Sequence, residues 1–277
     1  MPFLEDSQIE IINPDLPRGR VRSALFDFDG TLSLIREGWQ GVMIPMMVEV
    51  LQALDTGESE AELTALVTDF VTRLTGKQTV YQMIELAEQV KRRGGAPLDP
   101  LAYKWQYLER LWARIEHRVA GLKAGEIAPE DMLVPGSCDI LERLKARGVA
   151  CYLASGTDEV YVKDEAAALG LVPYFGAHIY GAQDDYKNFS KAMVIDRIIK
   201  THDLSGPELV AFGDGYVEIE NTKAVGGIAV GVATNEAARA GIDAWKRGRL
   251  IEAGADIIVP DFREAARLVA YLFNNVE

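Results

Sequence analysis

The sequence predicts an α/β protein: a parallel sheet covered by helices on both faces, with an all-helical segment inserted after its first strand. Three observations carry this. Short apolar runs at 149–154, 177–180, 209–212, 228–232 and 257–259 alternate with helical patterns, and strands that alternate with helices build parallel sheets. A further apolar run, 21–27, stands alone far upstream. Between them, from about 38 to 121, apolar residues recur every three or four positions with no convincing strand. The sheet-forming part is therefore discontinuous, 1–33 with 131–277, and 34–130 make the helical insert.

The elements follow in order. A short strand over 9–12 precedes the turn residues Asn13, Pro14 and Pro17. The first insert helix carries Trp39, Val42, Met43, Met46, Met47, Val50 and Leu54, and Pro45 is expected to interrupt or kink it. Ser59 and Glu62 form a capping box for a second helix through Leu63, Val67, Phe70 and Leu74. Thr75-Gly76-Lys77-Gln78 breaks that helix, and Thr79 is placed to cap a third, which stops at Gly94-Gly95. A long fourth helix starts near Asp99-Pro100 and carries Tyr103, Tyr107, Leu111, Ile115 and Val119. These Met and aromatic stripes read as core packing. In the second part, helices are expected over 137–147, 158–169, 190–201 and 219–224, after Thr234, and over 262–273.

Composition narrows the function. Apolar residues make up 48% of the 277, enough for a sizeable core, and 42 acids against 29 bases leave a net charge of -13. A uniformly basic face for a nucleic acid polymer is excluded on that balance. Cys138 and Cys151 lack metal-ligand spacing and read as reduced core residues of a cytoplasmic protein. The acidic, proline-broken start is unlike a signal peptide, and no apolar run reaches the ~18 residues that span a bilayer.

Four stretches carry chemistry. In Asp27-Phe28-Asp29-Gly30-Thr31 two carboxylates two residues apart end a strand, on the same side. So close a pair needs a cation, or one member must hold a proton. That suits a metal-assisted reaction in which one acid attacks and the other shuttles a proton. Ser155-Gly156-Thr157 follows an apolar strand, where a hydroxyl and the amides of a turn opening a helix make a nest for an anion. Lys191 stands in the first turn of a helix, with Lys187 as a competitor in the loop before it. Gly213-Asp214-Gly215 bends a strand end and presents Asp214, with Glu218 four residues on. Mg²⁺ prefers one or two carboxylates together with substrate phosphate. Asp27, Asp29 and Asp214 suit it, with Glu218 direct or through water.

The DxDGT string, the Ser-Gly-Thr after a strand, the helix-start Lys191 and the GDGxxE string stand in the order of the haloacid dehalogenase superfamily, which the chain resembles. The separation of Lys191 and Asp214, 214 − 191 = 23 residues, is similar to that of its phosphoserine-phosphatase-like members. The helical insert looks like that superfamily's α-helical cap. The resemblance implies a Rossmann-like core, Mg²⁺ and an aspartyl-phosphate intermediate. It makes Asp27 the nucleophile and Asp29 the general acid/base, which also gives its backbone carbonyl to the metal. It makes Ser155, Gly156 and Lys191 the phosphate holders, and Asp214 and Glu218 metal ligands. Dehalogenases and phosphonatases of the superfamily lack an acid at the position of Asp29. Glu218 stands where Asp is more usual. Gly76 and Lys77, in the turn 75–79, resemble the substrate loop of such caps, and Arg36 and Trp39 near the hinge are further candidates. His117, His178 and His202 are scattered and are assigned no chemistry. The expected activity is hydrolysis of a small phosphorylated metabolite such as a sugar phosphate, phosphoglycolate or a nucleotide. A phosphomutase of β-phosphoglucomutase type shares all four strings, but the turn Gly76-Lys77-Gln78-Thr79 lacks the Gly-x-x-Arg string associated with that group.

Overall fold

The apolar run that ends at Asp27 forms the middle of a seven-stranded sheet. The structure is a computed structural model and describes residues 3–183 and 189–274. The strands are β1 (Glu10–Ile11), β2 (Ser23–Phe26), β3 (Ala150–Asp158), β4 (Ile179–Ala182), β5 (Leu209–Gly213), β6 (Ile228–Val232) and β7 (Ile257–Val259). Their order is β1-β7-β6-β5-β2-β3-β4, and every pairing is parallel except that of β1 with β7. All residues of β2, β5, β6 and β7 are buried. Strands covered on both faces read as continuous apolar runs, which is why they are legible.

The chain leaves β2 toward β3 and β4, then returns to β5 on the other side of β2. This reversal is a topological switch point, and open α/β sheets hold ligands beyond the carboxyl ends of the strands there. Alternation along β2 divides the packing. Ala24 and Phe26 join the face covered by α5 (Ser137–Ala146), α6 (Glu159–Ala168), the single turn α7 (Val172–Phe175) and α11 (Ala265–Leu272); Leu25 faces α8 (Lys191–His202). Next to α8, α9 (Tyr216–Ala224) and α10 (Ala244–Glu252) cover Ala229 and Ile258. Phe26 stacks on Phe212 at 4.5 Å between ring centres, with the edges of Phe262 and Phe175 against Phe26. This aromatic floor ties the ends of β2 and β5 together just below Asp27 and Asp214.

Between β2 and β3 lie α1 (Gln40–Gln52), α2 (Glu60–Leu74), α3 (Thr79–Arg92) and α4 (Pro100–Ala124). The capping box forms as expected: Ser59 Oγ accepts from the Glu62 amide, and the Glu62 carboxylate accepts from the Ser59 amide at 2.8 Å. Asp99 caps α4 through the Leu101 amide, and Gly125, in the left-handed region, ends it. Two details differ from expectation. The break expected at Pro45 does not occur, and α1 runs through it. The residue at i−4 is exposed Gly41, where a Cβ would meet open space, while Met43, Met46, Met47 and Leu51 lock the same helix into the core. Thr79 is the first residue of α3 and not its cap; Gln78 holds that position without a side-chain cap bond. Its amide instead donates to the carbonyl of Phe189, across to the core, at 2.7 Å.

The cap is closed on the core. Lys104 of α4 meets Asp158 at the end of β3 at 2.6 Å, both buried. Arg249 of α10 donates to the carbonyls of Thr72 and Arg73 at the end of α2. No helix among the described residues is long and apolar enough to cross a membrane.

Candidate active site

The ladder between β2 and β5 extends one residue past β2, where the Asp27 amide donates to the Phe212 carbonyl at 2.9 Å. That last bond sets Asp27 at the strand end. Its Oδ1 accepts from the Phe28 amide at 2.8 Å and from Lys191 Nζ at 2.8 Å. Burial raises the Asp27 carboxyl from 3.8 to about 6, the charges of Asp214 and Asp29 adding to it and Lys191 opposing. Lys191 comes from the first position of α8, whose N-cap Ser190 accepts from the Met193 amide. Lys187, its competitor in sequence, lies outside the described residues.

Asp29 hangs over the same cavity. Its Oδ2 accepts from the Thr157 hydroxyl at 2.8 Å and from the Ser155 hydroxyl at 3.3 Å. Its Oδ1 is buried without a hydrogen-bond partner, 3.9 Å from Arg36 Nε. Burial raises the Asp29 carboxyl, with Arg36 and Thr157 opposing. The strand β3 runs on through Ser155 and Gly156 to Asp158, past the end expected at 154, and α6 opens at Glu159, within one residue of the start expected near 158. An irregularity between Ala154 and Asp158 in the pairing with β4 turns this stretch. The Ser155 hydroxyl oxygen accepts from the Thr157 amide, as in a turn.

Asp214 follows β5 and pairs with Lys246 of α10 at 2.7 Å; Lys246 also holds Glu236 at 2.6 Å. Gly30, at φ 76°, lets the first loop pass this pair: a Cβ there would lie 2.4 Å from Asp214 Oδ2. Glu218 is fully buried and its carboxylate is turned onto Lys191. The acid expected as a direct or water-mediated metal ligand thus lies against the lysine expected to hold phosphate. Among the described residues no three His, Cys, Asp or Glu side chains are grouped closely enough to hold a metal. The donor chemistry of Asp27, Asp29 and Asp214 still fits a hard cation. The charges of Asp29 and Asp214 raise Asp27, and Asp214 raises Asp29, so the three acids share one electrostatic site. Asp29 Oδ1 is buried without a hydrogen-bond partner among the described residues.

The cap closes the cavity, which has a volume of about 100 Å³ and is lined by Asp27, Asp29, Lys191 and Asp214 from the core and by Trp39, Gln82 and Tyr107 from the cap. The Lys77 carbonyl sits against Gly156, where a Cβ would be 2.8 Å away, and Gly76 packs on Gly215. The Lys77 ammonium lies over the Tyr81 ring and is exposed. Arg36 is buried and not a surface residue, and Trp39 is half-buried.

The sequence matches the family model for haloacid dehalogenase-like hydrolases over residues 21–226, which takes in the cap and every strand described above except β1, β6 and β7. The chain belongs to the haloacid dehalogenase-like hydrolases. The hydrolase shares its fold with a conserved haloacid dehalogenase-like protein of unknown function from Agrobacterium tumefaciens (19% identity, TM-score 0.57, covering 91% of this chain and 98% of that one). It is similar to a predicted phosphoglycolate phosphatase from Haemophilus somnus (17%, TM-score 0.56, 90% and 98%). It is also similar to a β-phosphoglucomutase from Clostridium difficile (13%, TM-score 0.59, 92% and 97%). Comparison with curated proteins gives no match.

Sequence reasoning missed five residues of this hydrolase's site. Thr157 stood in the quoted string but was given no part. Tyr107 was read as core. Glu165, Glu236 and Lys246 carry no local pattern that distinguishes them from other charged residues.

Proposed function

We propose that the hydrolase is a Mg²⁺-dependent phosphatase of a small phosphorylated metabolite, acting through an aspartyl phosphate on Asp27. The observation that carries this reading is the contact of Asp27 with Lys191 at the end of the central strand, in one cavity with Asp29. Phosphoryl transfer brings an anionic nucleophile to an anionic substrate, so it needs neutralised charge and positioning above all. Lys191 supplies one cation. Asp27, Asp214 and the Asp29 carbonyl would hold Mg²⁺, which when bound supplies neutralisation of the phosphoryl oxygens. Asp27 Oδ1 is engaged by Phe28 and Lys191, which leaves Oδ2 for attack. As the bond from phosphorus to the leaving oxygen breaks, Asp29 gives that oxygen a proton. Asp29 then takes a proton from the water that attacks the phospho-aspartate, restoring Asp27. Glu218, buried against Lys191, fixes the ammonium. The division into a core, 1–33 with 131–277, and a cap, 34–130, is part of this reading, the cap excluding bulk water. A cytoplasmic location is supported by two cysteines that are both free, Cys151 being pushed up to about 12 by burial.

The test is phosphate release from an aryl phosphate and from a panel of phosphorylated metabolites, by wild type and Asp27→Asn, with and without a chelator. Loss in the variant and with chelator supports the reading. Residual turnover by Asp27→Asn sinks the nucleophile, and indifference to chelator sinks the metal. Isomerisation of a hexose 1-phosphate without release of phosphate would make the hydrolase a mutase.

A further inference from the structure

Arg36 is a buried cation with no part in the scheme above. It lies on the linker between β2 and α1, and its guanidinium grips Glu165 of α6 in a fork: Nε to the two carboxylate oxygens at 3.1 Å each, and a terminal nitrogen to Oε1 at 2.6 Å. Glu165 is itself almost fully buried. The Tyr161 ring, 5.5 Å from the guanidinium carbon, flanks it, and the Tyr107 side chain of the cap is buried beside Arg36 and Asp29. Arg118 of α4 fixes the linker by donating to the carbonyls of Ile35 at 2.8 Å and Glu37 at 3.1 Å. A fork of this kind sets the orientation of the guanidinium plane as well as its position. Nε, a donor of this fork, also lies 3.9 Å from Asp29 Oδ1, too far for a hydrogen bond but close enough for charge attraction.

Asp29 is thus held on two sides. Hydroxyls of Thr157 and Ser155 take Oδ2, and the Arg36 guanidinium lies beside Oδ1, which has no hydrogen-bond partner among the described residues. The geometry points to Glu165, Arg36 and Thr157 as positioning residues that fix the Asp29 carboxyl at the cavity wall for delivery of the proton to the leaving group. This rests on the reading of Asp29 as general acid. The step balances: Asp27 Oδ2 forms a bond to phosphorus, the bond from phosphorus to the leaving oxygen breaks, and that oxygen keeps the pair and takes the proton from the Asp29 carboxyl. Because Arg36 belongs to the linker into the cap, this arrangement is complete only when the linker is seated under Arg118.

A proton donor matters for a poor leaving group and little for a good one, and that separates positioning of Asp29 from general damage. The test compares glycerol 2-phosphate, an alkyl ester, with p-nitrophenyl phosphate, using kcat/KM, which covers steps only through departure of the leaving group. General acid catalysis contributes about 10²–10⁴-fold, so Glu165→Gln and Thr157→Val, which keep side-chain shape, should each lower kcat/KM for the alkyl ester by about 10-fold or more and leave the aryl ester within about threefold. Equal losses on both substrates, or no loss on either, overturn the inference. If Glu165→Gln does not fold, Thr157→Val and Arg36→Lys decide by the same ratio; Lys keeps the charge but cannot make the fork. A wild type inert on both esters overturns the phosphatase reading and this inference with it. An active wild type whose variants keep its substrate ratio overturns the inference alone.

Discussion

Lys104 of the cap and Asp158 of the core form a 2.6 Å ion pair that is buried on both sides. Asp158 ends the strand that carries Ser155, Gly156 and Thr157, so the pair joins cap closure to the stretch that holds Asp29. Removing one partner of a buried pair leaves an uncompensated charge in a low-dielectric site. Lys104→Ala is expected to cost about 3–5 kcal/mol, read as a drop in the urea midpoint. The double variant Lys104→Met with Asp158→Asn, which removes both charges of this pair, should lose less. A double variant as unstable as the single would show that packing and not charge sets the effect.

The contact of the cap turn with Gly156 gives a second, purely steric expectation. A Cβ at this position would sit 2.8 Å from the Lys77 carbonyl, and backbone cannot swing aside as a flexible side-chain end can. Gly156→Ala should therefore hold the cap turn off the core and lower kcat/KM on every substrate alike. Core packing is untouched, so the unfolding midpoint should move little. Full activity in Gly156→Ala would mean that closure to this distance is not needed for turnover.

What the sequence makes legible follows from how local each feature is. β6 and β7 match their apolar runs residue for residue, because strands buried on both faces leave a continuous signature. The first turn of α8 places Lys191, and the ends of β2 and β5 place Asp27 and Asp214, each from a string a few residues long. The Arg36–Glu165 fork joins residues 129 apart in sequence, and Lys246 reaches Asp214 across 32. No periodicity within either segment registers such a contact. A charged residue on a helix reads as solvated until the tertiary fold buries it. The same reason explains Glu218: its place in the string marks it as an acid of the site, but only the position of Lys191 decides that the carboxylate turns onto the ammonium. Pro45 and Thr79 misled because propensity ranks below the burial of Met43, Met46 and Met47 and the cross-domain bond of Gln78.

Lys191 touches both Asp27 and Glu218, so its loss should strand two buried acids. Lys191→Ala is expected to abolish phosphate release and also to destabilise the fold at neutral pH. Adding Glu218→Gln to it should recover stability without recovering activity. Measuring both readouts on the single and double variants checks this; a double variant that regains turnover would remove Lys191 from the chemistry.

The raised Asp27 carboxyl gives a stability effect whose sign can be worked out. Burial and the charges of Asp214 and Asp29 outweigh Lys191, so the folded value, about 6, lies above the ordinary 3.8. The folded state then binds the proton more tightly than the unfolded chain does. This contribution is fully present below pH 3.8 and is lost as the pH rises through about 6. At neutral pH the ionised carboxylate is a burden on the fold, on the order of a few kcal/mol at most. Asp27→Asn carries no such burden and keeps Lys191 paired with Glu218. In buffer with a chelator, Asp27→Asn should be more stable than wild type at pH 7, and the difference should shrink toward zero by pH 4. Unfolding midpoints of the two proteins across that range decide it. A wild type more stable than Asp27→Asn at pH 7 would mean that the attraction of Lys191 outweighs the cost of burying the carboxylate, and that the nucleophile is held ionised by its lysine before any substrate arrives.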